Sequence, residues 1–143
     1  MTFRRYSPDQ VKISFGGIAI TGYMDGTFVD AERNEDQYTM HVGSLGDVTR
    51  TRNLNKTGKV TITLMQHAPI NELLQTKLSL DDLADIPPQP LQIKDLSNNM
   101  RVHASQAWIT KPPKIERAKE SAGIQWVFEC ANLEITTALP DLI

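Results

Sequence analysis

The side chains best suited to metal binding in this sequence are three histidines and one cysteine. His41, His67 and His103 fall in different predicted elements, and none has a second histidine or Cys130 at the spacing of a metal site. Zinc needs three or four converging ligands. We therefore predict no metal site, and we interpret each histidine as a surface residue or a hydrogen-bonded core residue.

Carboxylates are numerous but poorly placed for catalysis. General acid–base chemistry needs one carboxylate held in an apolar pocket, where its pKa is raised. The acidic residues here lie among turn residues. Examples are Asp25, Asp30, Glu32, Glu35 and Asp36. No serine has a recognisable local activation signal. The sequence predicts that the protein is not an enzyme.

Two short segments superficially resemble phosphate-binding loops. They are Gly-Ser-Leu-Gly at 43–46 and Lys-Thr-Gly-Lys-Val at 56–60. Neither has the full glycine-rich loop followed by lysine and a hydroxyl residue. The second also leads into a predicted strand, whereas a phosphate site needs a helix N-terminus. We expect no nucleotide and no other cofactor.

Positive charge is concentrated in one place, at Arg50, Arg52, Lys56 and Lys59. This cluster suits a phosphate group, an acidic patch on a neighbouring subunit, or simple solubility. Over the whole chain, 15 basic and 17 acidic residues give a formal net charge of -2. Such a balance does not indicate a dedicated nucleic-acid binder, so any DNA that meets the protein should slide past it.

Length and composition indicate one globular domain. The chain has 143 residues, of which 40% are hydrophobic and 22% charged, enough for one core. No apolar run is long enough to span a bilayer, and the N-terminus lacks the apolar segment of a secretory signal. The single cysteine fits a reducing compartment. We expect the protein to be made and kept in the cytoplasm.

Alternation of apolar and polar residues predicts a mostly β fold. Gly16-Gly17 separates two alternating runs, which is typical of a tight hairpin. A change of parity near Ala131 and Asn132 predicts a bulge or a partner on the second face. The segment 31–36 is predicted to be a charged connection. The predicted strands cover 11–15, 18–23, a piece from 27, 37–42, 59–65, 91–94, 100–110 and about 123–135.

One helix is predicted, from about 69 to about 78. Pro69 suits its first turn, and one apolar stripe contains Ile70, Leu73, Leu74 and Leu78. Ser79 can cap a further short turn, and the prolines from 87 onward end any helix.

The segment 43–58 is polar and has no helical stripe. A connection this long inside a compact domain is usually functional, and it either binds something or reaches towards a neighbour.

Three segments, taken in order, resemble small structural proteins of contractile-tail phages. They are VKISFGGIAITGYMDGTF at 11–28, GSLGDVTRT at 43–51, and GKVTITL at 58–64 followed by the helix from Pro69. The resemblance covers about the first half of the chain. The likeness lies in the residue pattern and the order of these segments, and it includes no catalytic motif.

The resemblance implies a tail tube protein, similar to the haemolysin-coregulated protein of type VI secretion. The implied fold is an antiparallel β-sandwich or barrel-like domain over 1–143, with one flanking helix near 69–78, an extended loop at 43–58, and short arms at 2–7 and 139–143. The implied inter-subunit contacts lie in the loop, at Leu45, Asp47, Val48, Arg50, Arg52, Leu54 and Lys56.

The same resemblance implies assembly into a virion tail. Hexameric rings would stack into a tube inside a sheath, between a baseplate and a tail terminator, with genomic DNA passing through without specific binding. No membrane partner is implied. An exposed sheet edge is an aggregation hazard unless a neighbour completes it, which ring closure achieves.

Two other interpretations stay open from the residues alone. A head-tail joining or head-stabilising protein would share the small size and β content. A small β-barrel could instead bind a ligand or glycan with Trp108 and Trp126 in its pocket, although large aromatic residues are more often part of the core.

Overall fold

Segments in which apolar and polar residues alternate form strands, and several of these strands pair with partners distant in the sequence. The computed structural model of the protein describes residues 10–23, 28–97, 99–116 and 123–137. The predicted turn at 24–26 and the arms at 2–7 and 139–143 lie outside these ranges. The helix is α1 (Ile70–Ala84), and the strands are β1 (Val11–Phe15), β2 (Ile18–Ile20), β3 (Val29–Arg33), β4 (Tyr38–Val42), β5 (Val48–Arg52), β6 (Gly58–Met65), β7 (Gln89–Asp95), β8 (Met100–Ile109), β9 (Gly123–Cys130) and β10 (Leu133–Thr137).

Eight of these strands form one antiparallel sheet. Its order is β2-β1-β7-β8-β9-β6-β3, and β10 pairs with β8 off this path. Strands β4 and β5 form a separate two-stranded sheet. The prediction of a mostly β, antiparallel fold with one flanking helix is confirmed. Its form is sandwich-like, without a closed barrel among the described residues.

The core lies on the apolar face of the main sheet, and the long neighbouring strands β6 and β9 supply several of its largest side chains. Val60, Ile62 and Leu64 of β6 are fully buried, and Val60 and Ile62 lie opposite Phe128 and Trp126 of β9. Successive strand residues point to opposite faces, so the intervening threonines of β6 lie on the other side of the sheet. The period-two pattern of the sequence therefore identifies the buried face.

The sheet bends over its own core. The rings of Phe15 on β1 and Phe128 on β9 meet edge to face, with centroids 4.9 Å apart. In a flat sheet, three strand spacings would separate them by about 14 Å. One isolated bridge, between Tyr23 and Leu64, brings the segment after β2 against β6. This curvature gives the sandwich-like form.

The irregularity predicted around Ala131 and Asn132 is present, and β8 shares it. Strand β9 ends at Cys130, β10 begins at Leu133, and both pair with β8 in one continuous register. At this place the buried positions change between even and odd residue numbers, both from β9 to β10 and within β8. On the other side of β8, Pro90 of β7 lies opposite two residues, which makes a bulge in β8.

Close packing at Gly58 holds β10 to this part of the sheet. A Cβ at Gly58 would collide with the side chain of Leu133 and lie 2.8 Å from the carbonyl oxygen of Glu32. Gly58 itself is buried. The position therefore requires a residue without a side chain.

The helix is longer than predicted. It continues past 78 to Ala84, so Ser79 lies inside it and does not begin a separate turn. It ends at Asp85, which has a left-handed φ of 51° and donates its N–H to the carbonyl oxygen of Asp81 at 2.9 Å. Serine and aspartate are weak helix formers but do not stop a helix, whereas the prolines that follow do.

The buried line of the helix is also narrower than predicted. Ile70 and Leu74 are buried, and Leu78 is partly buried against the core. These residues repeat every four positions along one line. Leu73 lies beside that line and is half exposed.

Two further predictions about strands were wrong. Residues 31–33, expected in a charged connection, belong to β3, which pairs with β6 at the edge of the sheet. The segment 43–58, expected as an extended loop, contains all of β5. Strand β5 is exposed throughout, and β3 contributes only Val29 and Ala31 to the core. The apolar alternation that marks a strand in sequence is therefore weak or missing in both.

Candidate functional site

Strands β4 and β5 form a hairpin, here called the ribbon, in which every strand residue is exposed. The register pairs Tyr38 with Arg52 and Val42 with Val48. At the tip, Gly43 donates its N–H to the carbonyl oxygen of Asp47 at 2.6 Å, and Gly46 has a φ of 91°, which suits glycine. The ribbon therefore projects from the domain without packing on its core.

The two faces of the ribbon differ in chemistry. Because side chains alternate along a strand and cross-strand partners share a face, the register assigns each residue to one side. One side, here called the arginine face, combines apolar residues with two arginines: Tyr38, Met40, Val42, Val48, Arg50 and Arg52. The opposite face is polar and consists of Thr39, His41, Thr49 and Thr51.

The arginine face is partly ordered by its own contacts. The Arg50 guanidinium lies over the ring of Tyr38, 4.3 Å from the centroid. A cation–π contact at an exposed site contributes about 0.5–1 kcal/mol. The contact holds the guanidinium on the arginine face, beside the ring of Tyr38.

The base of the ribbon is tied to the sheet. Asn53 donates its backbone N–H to the carbonyl oxygen of Gln37 at 2.8 Å and its side-chain N–H to Glu35 Oε2 at 2.8 Å. Below it, Arg33 Nε donates to the carbonyl oxygen of Leu133 at 2.9 Å. The ribbon is thus held at its base and open along its length.

The contact residues predicted from sequence fall into two groups. Leu45 and Asp47 lie in the tip, and Val48, Arg50 and Arg52 lie together on the arginine face. The other two belong to the connection after β5. There, Leu54 is exposed, and the carbonyl oxygen of Lys56 accepts a hydrogen bond from the Leu133 N–H at 2.8 Å.

Sequence reasoning missed the half of the arginine face that comes from β4. Tyr38, Met40 and Val42 share this face, and all three side chains are exposed. The signal was present, since three apolar residues alternate with polar ones at 38–42. The alternation predicts a strand, but it does not show whether the apolar face of that strand is covered.

A second unusual surface lies between α1 and the end of β8. It is a cavity of about 330 Å³, here called the α1 groove, whose walls include Lys77, Asp81, Asp85, Ile86, Pro87 and Trp108. Trp108 is 37% exposed there. Trp126 does not line it, because that side chain is buried in the core. The two tryptophans therefore do not form the shared pocket that a glycan site would need.

The cysteine is placed as a core residue. Cys130 is 1% exposed. Burial, with a smaller contribution from the Glu129 carboxylate, raises the pKa of the Cys130 thiol to about 11. The thiolate is the reactive form, so this side chain is a poor nucleophile at neutral pH.

Metal ligands do not converge within the part of the chain that the structure describes. No group of three or more histidine, cysteine, aspartate or glutamate side chains there could hold an ion. Among the same residues, no helix is long and apolar enough to cross a membrane.

The sequence of this chain matches a family model over most of its length. Residues 14–138 match the bacteriophage PhiTE tail tube protein. The chain belongs to this family of tail tube proteins. It is therefore a structural component of a phage tail and not an enzyme.

A curated relative agrees with the family. The tail tube chain is 26% identical over 140 residues to structural protein ORF10 of Pseudomonas phage KPP10, and the match covers 89% of this chain and 78% of the relative.

Solved structures show the same fold at low sequence identity. A chain of the sheath-tube complex of PVC, an extracellular contractile injection system, superposes with a TM-score of 0.62 at 12% identity, covering 94% of this chain and 93% of that one. The anti-feeding prophage cap, which terminates its tube, gives a TM-score of 0.61 at 11% identity, with 96% and 95% covered.

Proposed function

We propose that this tail tube protein assembles head to tail into hexameric rings that stack as the inner tube of a contractile phage tail. The observation that carries the proposal is the arginine face, which presents apolar side chains to solvent in a single copy. The strand residues of the ribbon are all exposed, so a neighbouring copy can cover them.

A two-stranded ribbon with an uncovered apolar face is unfavourable in a protein that stays monomeric. Two strands alone are marginally stable in water. Contiguous exposed apolar surface usually marks a site of protein association. A neighbouring copy that covers the face removes both costs, so the predicted contacts at Leu45, Asp47, Val48, Arg50 and Arg52 are part of this proposal.

The edges of the main sheet favour ring closure. Among the described strands, β2 and β3 end the strand order of the main sheet. Unpaired edges invite further strands, and closing a sheet around a ring removes them. We place the β2 edge of one copy beside the β3 edge of the next, which is a heterologous contact that closes by rotation.

A conduit for DNA needs a wall that does not hold DNA. Strong binding to nucleic acid depends on lysine and arginine contacts to phosphates. This chain carries a formal net charge of -2, and its basic residues do not exceed its acidic ones. The balance supports passage of genomic DNA without specific binding.

The expected partners follow from the position of a tube. The fold relatives include a chain of a sheath-tube complex and one of a sheath/tube terminator. On this basis a sheath protein surrounds the tube, and a baseplate and a tail-terminator protein contact its ends. Assembly takes place in the cytoplasm of the bacterial host.

Negative-stain electron microscopy of the concentrated protein tests the proposal. Hollow rods of uniform width are expected, with sedimentation showing a matching shift from monomer to large particles. Isolated rings without rods would instead favour a head-tail joining role. A protein that stays monomeric at high concentration, without rings or rods, would overturn the proposal.

A further inference from the structure

We infer that the arginine face of one copy docks in the α1 groove of the next copy. In this contact Arg50 and Arg52 meet Asp81 and Asp85, and the apolar residues at and next to the tip of the ribbon lie on the apolar wall of the groove. The inference rests on the proposed function, because it names the surface that receives the ribbon in the assembled tube.

The charges of the two surfaces are complementary. Asp81 and Asp85 line the α1 groove, and neither forms a salt bridge within the described part of the chain. The nearest cation on the helix, Lys77, places its ammonium over the ring of Phe15, 5.3 Å from the centroid. The two carboxylates are therefore available for cations from another copy.

The spacing of the charges also matches. Arg50 and Arg52 are two residues apart on one face of β5, which separates them by about 7 Å along a strand. Asp81 and Asp85 are one helical turn apart, which is about 6 Å along the axis. Both arginines can thus engage both aspartates with the ribbon lying along the helix.

Each surface also has an apolar part next to its charged residues. On the ribbon, Val42 and Val48 pair next to the tip, beyond the arginines, and Leu45 at the tip is 92% exposed. On the groove, the segment after Asp85 supplies the apolar wall, with Trp108 beside it. When the arginines lie on the aspartates, Val42, Val48 and Leu45 remain available to pack on this wall.

The contact is between copies and not within one. The residues of the ribbon are exposed, and the groove is lined by β1, α1, the segment 85–89 and β8, without any ribbon residue. Two different surfaces of one chain that fit each other make a head-to-tail contact, which propagates through a ring or a stack. Such a contact suits a tube subunit.

Charge reversal on each side gives the test. The variants are R50D/R52D, with an acidic ribbon, and D81R/D85R, with a basic groove. Alone, each places like charges against each other at the interface, which opposes association. We expect each variant alone to raise the concentration needed for rods by about tenfold or more.

Mixing the two variants distinguishes this contact from a general loss of assembly. In an equal mixture, an acidic ribbon can meet a basic groove, and the unchanged ribbon of the second variant can meet the unchanged groove of the first. We expect rods to return in the mixture. The variant D81N/D85N removes charge without repulsion, and asparagine tolerates the left-handed backbone at 85, so it should weaken assembly with the fold intact.

The control K94D/R101D makes the same change of charge at two exposed cations that face each other on β7 and β8. It should form rods as the wild type does, and circular dichroism should show every variant folded. If the wild type forms rods but both reversed variants also do, or the mixture stays unassembled, the inference is wrong. If the wild type itself forms no rings or rods, the proposed function has failed instead.

Discussion

Trp126 Nε1 donates a hydrogen bond of 2.9 Å to Asn71 Oδ1, which joins strand β9 to the first turn of α1. Trp126 is 2% exposed, so its N–H has no access to bulk water. Asn71 also donates to the carbonyl oxygen of Met65 at 2.9 Å. One side chain thus links the helix, the end of β6 and the centre of the core.

Replacing Asn71 by alanine should destabilise the domain. The substitution leaves the buried Trp126 N–H without an acceptor, and an unsatisfied buried donor costs about 1–3 kcal/mol. Urea unfolding followed by circular dichroism measures the loss. The matched control is Gln75→Ala, at an exposed position one turn further along α1, which should change the free energy of unfolding by less than about 0.5 kcal/mol. Equal effects of the two substitutions would contradict this role for Asn71.

The buried thiol should make stability depend on pH in the alkaline range. The pKa of Cys130 is raised from 9.0 to about 11 in the folded protein, mainly by burial. Below 9.0 the thiol is neutral in both states and its burial is not penalised. As pH rises from 9.0 towards about 11, the unfolded chain ionises first, so the stabilising contribution is lost across that window.

Unfolding measured at several pH values between these limits tests the point. The wild type should lose stability more steeply than Cys130→Ala over this window, although the variant is less stable overall because of the cavity. Parallel pH profiles for the two proteins would show that the thiol does not contribute.

Polar substitution on the arginine face should separate assembly from folding. Val42 and Val48 are opposite each other and exposed by 61% and 63%. The double variant V42T/V48T keeps the β-branched shape, so the free energy of unfolding of the monomer should change by less than about 0.5 kcal/mol.

Assembly of the same variant should weaken, because the apolar area that a neighbour covers is lost. Pelleting of rods by centrifugation measures it. The control T39A/T51A lies on the polar face of the same ribbon and should pellet as the wild type does. Normal rods from V42T/V48T would mean that this face is not an assembly contact.

The core could be predicted from the sequence because its strands have one buried and one exposed face. In β1 and β6 the apolar residues at every second position are the buried ones. The parity change near Ala131 was informative for the same reason, since buried residues on both sides of it had to reach one core. The apolar stripe located the helix. The predicted helix ended too early because Ser79 to Asp82 are typical of the start of a separate helical turn.

The ribbon could not be predicted because nothing in a single chain buries it. Strand β5, with the sequence VTRTR, has one apolar residue and lies where the alternation gives no signal. Strand β4 had the signal, but its apolar residues face solvent and not the core. The sequence predicted that 43–58 reaches towards a neighbour. Only the structure shows that β5, within this segment, pairs with β4 to form a two-sided ribbon.

A helical cryo-EM reconstruction of rods formed by the purified protein tests most directly whether the ribbon is an assembly element. We expect the arginine face of each copy to be covered by an adjacent subunit, with Arg50 and Arg52 within ion-pair distance of carboxylates on that subunit. A reconstruction in which the ribbon of every copy extends into solvent, with Met40 and Val42 uncovered, would contradict it.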